Sequence, residues 1–225
     1  MADSVNFEAR RPLCRGGPIW QGARLLTLFP ARDFGVQISA SAFIMATKQS
    51  IPKVWFKKFS KTKKVKIVKF NPRILKLVEE FSTKLAKLLG KRVEIEHRGS
   101  TALGISGHGE VDLYLRVKNR KDFQGAFAKL KKRFGEPGSY YPREPRARFN
   151  YVYKGVEFEQ MLVLHKTIDE IEGRLFFYYL KSHTELLPEY EAIKRKYAKV
   201  SKYKYQIEKH KFIHNVLRLA RKSKN

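Results

Sequence analysis

The chain has 225 residues, 43% of them hydrophobic and 13% aromatic, enough to bury a core and too many for wholesale disorder. With 48 Lys and Arg against 21 Asp and Glu the formal charge is +27, which favours polyanionic partners such as nucleotides, nucleic acid or an anionic membrane. The single cysteine, Cys14, excludes an internal disulfide and a Cys-based zinc site, and no run approaches the ~20 apolar residues of a spanning helix, so the reading is a soluble, basic protein of the cytoplasm.

Residues 1–47 hold five arginines (Arg10, Arg11, Arg15, Arg24 and Arg32) and no lysine, while lysine dominates from Lys48 onward. An Arg-rich start resembles a transit peptide, but Asp3, Glu8 and Asp33 oppose that reading. The expectation is a poorly ordered extension over 1–44, ahead of a start at Met45, and then a basic linker over 45–60. Val65–Phe70 alternates as a strand. Asn71-Pro72 signals a helix start; Ile74, Leu75, Val78, Phe81, Leu85 and Leu88 follow at helical spacing, and Gly90 ends the helix. Arg92–His97 and Glu110–Val117 read as strands, and Phe123–Phe134 as a helix stopped by Gly135. Residues 136–147, with three prolines, read as a loop; Arg148–Tyr153 and Val156–Leu164 read as strands parted by a hairpin-like Lys154-Gly155. From Thr167 the chain is helical in three segments, divided near Ser182–Thr184 and Ser201–Lys204. The fold class is α/β (α+β): a core over 61–165, with a small mixed sheet and flanking helices, and a helical region over 166–225 of the same domain.

Chemistry concentrates in two places. Gly99-Ser100-Thr101 follows a strand and enters a turn or helix start, where exposed N–H groups and a hydroxyl form a phosphate cradle. On the next strand Glu110 and Asp112 are two apart and so project from one face. Paired carboxylates repel unless a cation lies between them, and Mg²⁺ or Mn²⁺ supplies that charge with the right oxygen preference. The later strand repeats the spacing with Glu157 and Glu159; Glu159 is the preferred third acid or general base, with Glu157 as its substitute. Arg146 and Arg148, in and beside the proline-rich loop, are expected to contact nucleotide phosphate. Basic clusters at 48–67, 118–133, 142–148 and 194–224, with Trp55, Phe56, Phe59, Tyr197, Tyr203 and Tyr205 interleaved, suit RNA or another polyanion.

Gly99-Ser100, nine residues and then Glu110-x-Asp112 resembles the signature of the polymerase-beta-like nucleotidyltransferase superfamily. Glu96–Ala102 and the run Phe176–Lys194, with Tyr205, Lys209, Phe212 and Ile213 beyond it, resemble blocks of the GrpB family within that superfamily, over roughly residues 65–215. The sequence departs from the family where an Arg-Asp pair becomes Phe177-Tyr178, losing that pair's polar role. His108-Gly109 replaces a Lys-Pro, and a His-containing strand has become Glu-rich at Glu157 and Glu159. The resemblance implies a nucleotidyltransferase-like fold and Mg²⁺-dependent transfer from an NTP to a hydroxyl acceptor. The alternative is a non-catalytic nucleotide or nucleic-acid binding module on a degenerate transferase fold. His210 and His214 are spaced for one helical face, but Lys209 and Lys211 beside them disfavour a metal. There is no P-loop and no nucleophile elbow.

Overall fold

The computed structural model describes residues 56–223; the extension at 1–44 and most of the 45–60 linker lie outside them. In chain order the elements are α1 (Ile74–Leu89), β1 (Glu94–Arg98), α2 (Gly99–Ala102), β2 (Val111–Val117), α3 (Arg120–Phe134), β3 (Ser139–Tyr141), β4 (Arg146–Tyr153) and β5 (Val156–Leu164), then α4 (Ile168–Ser182), a 3₁₀ turn (Thr184–Leu186), α5 (Leu187–Ala198) and α6 (Lys202–Lys222). The five strands form one mixed sheet in the order β1-β2-β5-β4-β3, in which only the central β2–β5 pairing is parallel.

Strand alternation divides the sheet into two unlike faces. Val111, Leu113 and Leu115 of β2, Phe158 and Leu162 of β5 and Ala147 and Phe149 of β4 are fully buried beneath α1 and α3. Full burial contributes about 1.5–3 kcal/mol for each large apolar side chain, so this face carries most of the core's stability. The opposite face carries Glu94, Glu96 and Arg98 on β1, Asp112, Tyr114 and Arg116 on β2, Glu157 and Glu159 on β5 and Arg146, Arg148 and Asn150 on β4. A second apolar cluster forms where the helical region meets the loop after α2: Ile105, Leu180, Tyr190, Phe212 and Val216.

Charged groups on that second face are neutralised within a buried network. Glu170 of α4, 1% exposed, lies 2.8 Å from Arg116 and 3.6 Å from Arg98, with Arg174 at 3.8 Å. Arg98 also pairs with Glu96 at 2.6 Å and covers the Tyr114 ring at 4.1 Å. Tyr178 donates its hydroxyl to Glu96, so the Phe177-Tyr178 pair keeps a polar role after all: its phenol end remains a donor where the ring is covered.

Boundaries differ from expectation where pairing decides them. Val65–Phe70 is extended but adds no strand to the sheet; it makes one bridge, Val68 to Gly107, and otherwise bonds to the α5–α6 corner. The loop at 136–147 contains β3, and β4 starts at Arg146, because cross-strand pairing overrides the turn signals of Gly138 and the prolines. Lys154 and Gly155 both take positive φ, 48° and 77°, as a two-residue hairpin turn requires. Ser201, at the expected last division, caps α6 by accepting from the Lys204 N–H at 3.1 Å.

Candidate active site

The β2–β5 register sets Asp112 directly beside Glu159, on the face away from the main core. Beneath them the chain leaves β1 at Arg98 and turns into α2. Gly99 has φ +72°, and a Cβ placed there would stand 1.8 Å from Asp112 Oδ2. The carboxylate therefore rests against bare backbone, and any other residue at 99 would push it away. Ser100 is seated in the same manner on Gly107, whose added Cβ would lie 2.6 Å from Ser100 Cβ.

The helical region closes this corner with cations. Lys194 of α5, 1% exposed, donates to Ser100 Oγ at 2.9 Å and to the Ser106 carbonyl, and its ammonium lies 4.5 Å from the Tyr190 ring centroid. Arg195 donates to Ser106 Oγ at 2.7 Å. Burial and then the positive charge of Lys209 bring the Lys194 ammonium down to about 8. A buried ammonium held by a hydroxyl and a carbonyl is a strong receptor for an anion.

The carboxyls are perturbed in the opposite sense. Burial, with Glu159 and Glu110 alongside, pushes Asp112 up to about 8. Glu159 is raised by burial and by Glu110, against the opposing pull of Arg148 and Lys209. Glu110 is lowered, first by its hydrogen bond with His108 at 3.2 Å. It lies one residue before β2, so it flanks the Asp112–Glu159 pair rather than sharing the strand pattern expected of it.

Oxygen donors raised in this way are short of positive charge, which suits a hard divalent cation such as Mg²⁺ or Mn²⁺. Among the described residues, however, no group of three Asp, Glu, His or Cys side chains converges as a ligand set. The donors at hand are thus the Asp112–Glu159 pair, with Glu110 turned to His108 and with Arg148, 3.4 Å from Glu159, as a competing cation.

Of the residues expected from sequence, the structure brings together Gly99, Ser100, Glu110, Asp112, Arg148 and Glu159. Thr101 turns the other way, its hydroxyl 2.8 Å from His97 Nε2. Arg146 is engaged by Asp169 and the Tyr141 ring, and Glu157 accepts from Asn150 at 3.0 Å one step along β5. Sequence reasoning missed Lys194, Lys209 and the Arg98–Glu170 network. Both lysines stood in view inside the runs at 176–194 and 205–213, and only the packing of α5 and α6 over the cleft gives them a role. The His210 ring packs edge-on to Phe56, and burial, then Lys209, lowers it to about 4.

A family model described as GrpB protein matches residues 64–219. Among solved structures, the conserved protein GrpB from Enterococcus faecalis superposes with a TM-score of 0.59 at 19% identity, covering 70% of this chain and 98% of that one. The Cid1 poly(U) polymerase, bound to Mg and 3′-dATP, gives 0.42 at 15% identity over 56% of this chain and 40% of its own. A cytoplasmic RNA terminal U-transferase gives 0.41 at 15%, over 56% and 39%. No curated protein matches the chain. Among the described residues, no helix is long and apolar enough to cross a membrane.

Proposed function

The chain belongs to the GrpB family, and we propose that it is a nucleotidyltransferase, dependent on Mg²⁺ or Mn²⁺, that moves a nucleotidyl group from an NTP to a hydroxyl acceptor. One observation carries the reading: Asp112 and Glu159 are register neighbours, and the Asp112 carboxylate rests directly against Gly99 of the Gly99–Ser100 turn. In this reading the β- and γ-phosphates lie against the Gly99–Ser100 turn, where Lys194 supplies buried positive charge from the other side. Asp112 and Glu159, with Glu110 beside them, would hold the cation, which when bound would offset the negative charge on the phosphoryl oxygens.

The acceptor oxygen forms a bond to the α-phosphorus while the bond from that phosphorus to the bridging oxygen breaks. Pyrophosphate leaves with that electron pair, and the acceptor's proton passes to Glu159. Glu159 suits this part because burial raises its basicity, and Arg148 steadies the carboxylate at 3.4 Å. In this reading Arg148, beside Glu159, would also meet the substrate phosphates, whereas Arg146 pairs with Asp169 and the Thr101 hydroxyl with His97.

The test is pyrophosphate release with each NTP and a panel of hydroxyl acceptors, with Mg²⁺ or EDTA present. Asp112→Asn should lower the rate by about 100-fold or more. Equal rates in wild type and variant would remove the assignment. A second reading, a nucleotide or nucleic-acid binding module without catalysis, is favoured by Arg148 and Lys209, which already offset the carboxylates. It predicts nucleotide-induced stabilisation that is indifferent to Mg²⁺ and no pyrophosphate from any acceptor.

A further inference from the structure

We infer that the acceptor is the end of a single-stranded nucleic acid, whose backbone runs along an extended lysine strap leading from the α5–α6 corner to the Ser100 cradle. The acceptor role rests on the transfer reading; the binding track does not.

The strap is residues 56–70, which contain seven lysines, and no acid occurs between Phe56 and Val78. Its course is fixed by backbone hydrogen bonds. Lys202 N–H donates to the Lys63 carbonyl at 2.7 Å, and Val65 N–H donates to the Ala198 carbonyl at 2.9 Å. Further along, Val68 exchanges two bonds with Gly107, at 2.7 and 3.1 Å. Gly107 is the residue on which Ser100 sits, so the strap ends against the cradle. From Lys63 to Val68 is about 17 Å of extended chain, the span of a few nucleotides.

Alternation aims the charge outward. Val65 and Ile67 are half-buried, while Lys63, Lys64, Lys66 and Lys69 are exposed. Glu208, the acid on the adjoining stretch of α6, is already paired with Lys204 and Lys211 at 2.9 and 3.0 Å, so its charge is satisfied within α6.

A narrow row of cations ending at a reaction centre fits a phosphodiester chain better than a membrane plane. Membrane docking would want a continuous row of apolar side chains turned outward, and here Val65 and Ile67 turn in, leaving Val68 alone exposed among the cations from Lys61 to Lys69. Aromatic rings lie among the cations where bases could stack. Phe59 has Lys202 at 5.8 Å, and Tyr203 has Lys61 at 5.9 Å.

The experiment is fluorescence anisotropy of the full chain with labelled single-stranded RNA and DNA 12-mers across a salt series. The strap variant is Lys63→Gln, Lys64→Gln, Lys66→Gln and Lys69→Gln combined. A charge-matched control combines Lys87→Gln, Lys91→Gln, Lys121→Gln and Lys132→Gln, all exposed and on the α1–α3 side. Exposed substitutions of this kind should leave the melting temperatures close to wild type.

The strap variant should bind at least tenfold more weakly, and its log K against log salt slope should shallow by about 3, at ~0.7 for each phosphate no longer neutralised. The control should keep the wild-type slope. Equal weakening in both variants would overturn the track, as bulk charge would then be responsible. So would a strap variant that no longer binds phosphatidylserine vesicles yet binds oligonucleotide as wild type does. Strap-dependent binding without pyrophosphate release would sink only the transfer reading. Pyrophosphate release to small hydroxyl acceptors, with the strap variant binding oligonucleotide like wild type, would sink only this inference.

Discussion

Replacing Asp112 by Asn should stabilise the metal-free protein, and increasingly so as pH rises. Asp112 titrates near 8 in the folded protein, because burial and the charges of Glu159 and Glu110 disfavour its ionised form, against 3.8 for an unperturbed Asp. A carboxyl raised on folding binds its proton more tightly in the native state. Its contribution is therefore fully present below about 3.8 and is lost progressively as pH climbs to about 8. Each unit of difference is worth about 1.4 kcal/mol, so wild type should forfeit roughly 4 kcal/mol by pH 7 through this one group. Asparagine has the shape of the protonated acid and no proton to lose. Urea unfolding of both proteins in EDTA, at half-unit steps from pH 5 to 8, should give free energies that diverge steadily in favour of the variant. Saturating Mg²⁺ should then recover wild type alone, because the cation replaces the proton as the compensating charge. Parallel curves in EDTA would refute the claim that Asp112 sits in a charge-starved cleft, and with it the reason for placing a cation there.

Gly99→Ala combines a left-handed backbone with a Cβ aimed 1.8 Å from Asp112 Oδ2, so it should cost about 1–3 kcal/mol in urea unfolding and abolish the Mg²⁺-induced rise in melting temperature. Lys194→Met removes an ammonium whose burial holds it near 8, a liability of roughly 3 kcal/mol against a free lysine. That variant should melt at or above wild type while losing most of the stabilisation that NTP confers, as thermal shift will show. Glu170→Gln strips the shared carboxylate from Arg98 and Arg116 and should cost about 1–3 kcal/mol in urea, since each buried guanidinium loses one of its acids and keeps the other, Glu96 or Glu94.

Much of the fold was legible because its signals are local. Val156–Glu159 alternates before the apolar run Met161–Leu164, Gly90 and Gly135 end their helices, and Ser201 caps α6 where the helical pattern breaks. What failed depends on partners distant in sequence. Val65–Phe70 has a strand's pattern, but an edge strand needs a neighbour, and Ala198 at the end of α5 and Gly107 in the loop after α2 take its hydrogen bonds instead. The acids followed the same division. Period two put Asp112 and Glu159 on exposed strand faces, and their adjacency then required the parallel β2–β5 pairing that no local pattern specifies. Lys194 was invisible as a site residue because a lysine in a lysine-rich helix signals solvent until the opposing surface is known.

The two halves of the cleft are complementary in origin as well as in charge. Carboxylates come from the sheet, at Asp112 and Glu159, where strand pairing holds them to within the precision of the hydrogen-bond register. The cations Lys194 and Lys209 come from α5 and α6, which pack with α4 in the cluster around Ile105 and Tyr190, while Glu170 ties α4 to the sheet. Because Lys194 reaches Ser100 only across that junction, their hydrogen bond exists only while the helical region is docked. A disturbance in the Arg98–Glu170 network should therefore reach the cradle through α4 and α5 without touching any side chain in it. The buried ion pairs thus help assemble the site as well as hold the fold: Glu170 fastens α4 to Arg98 and Arg116 of the strands, and α4 packs in turn with the helices that carry Lys194 and Lys209.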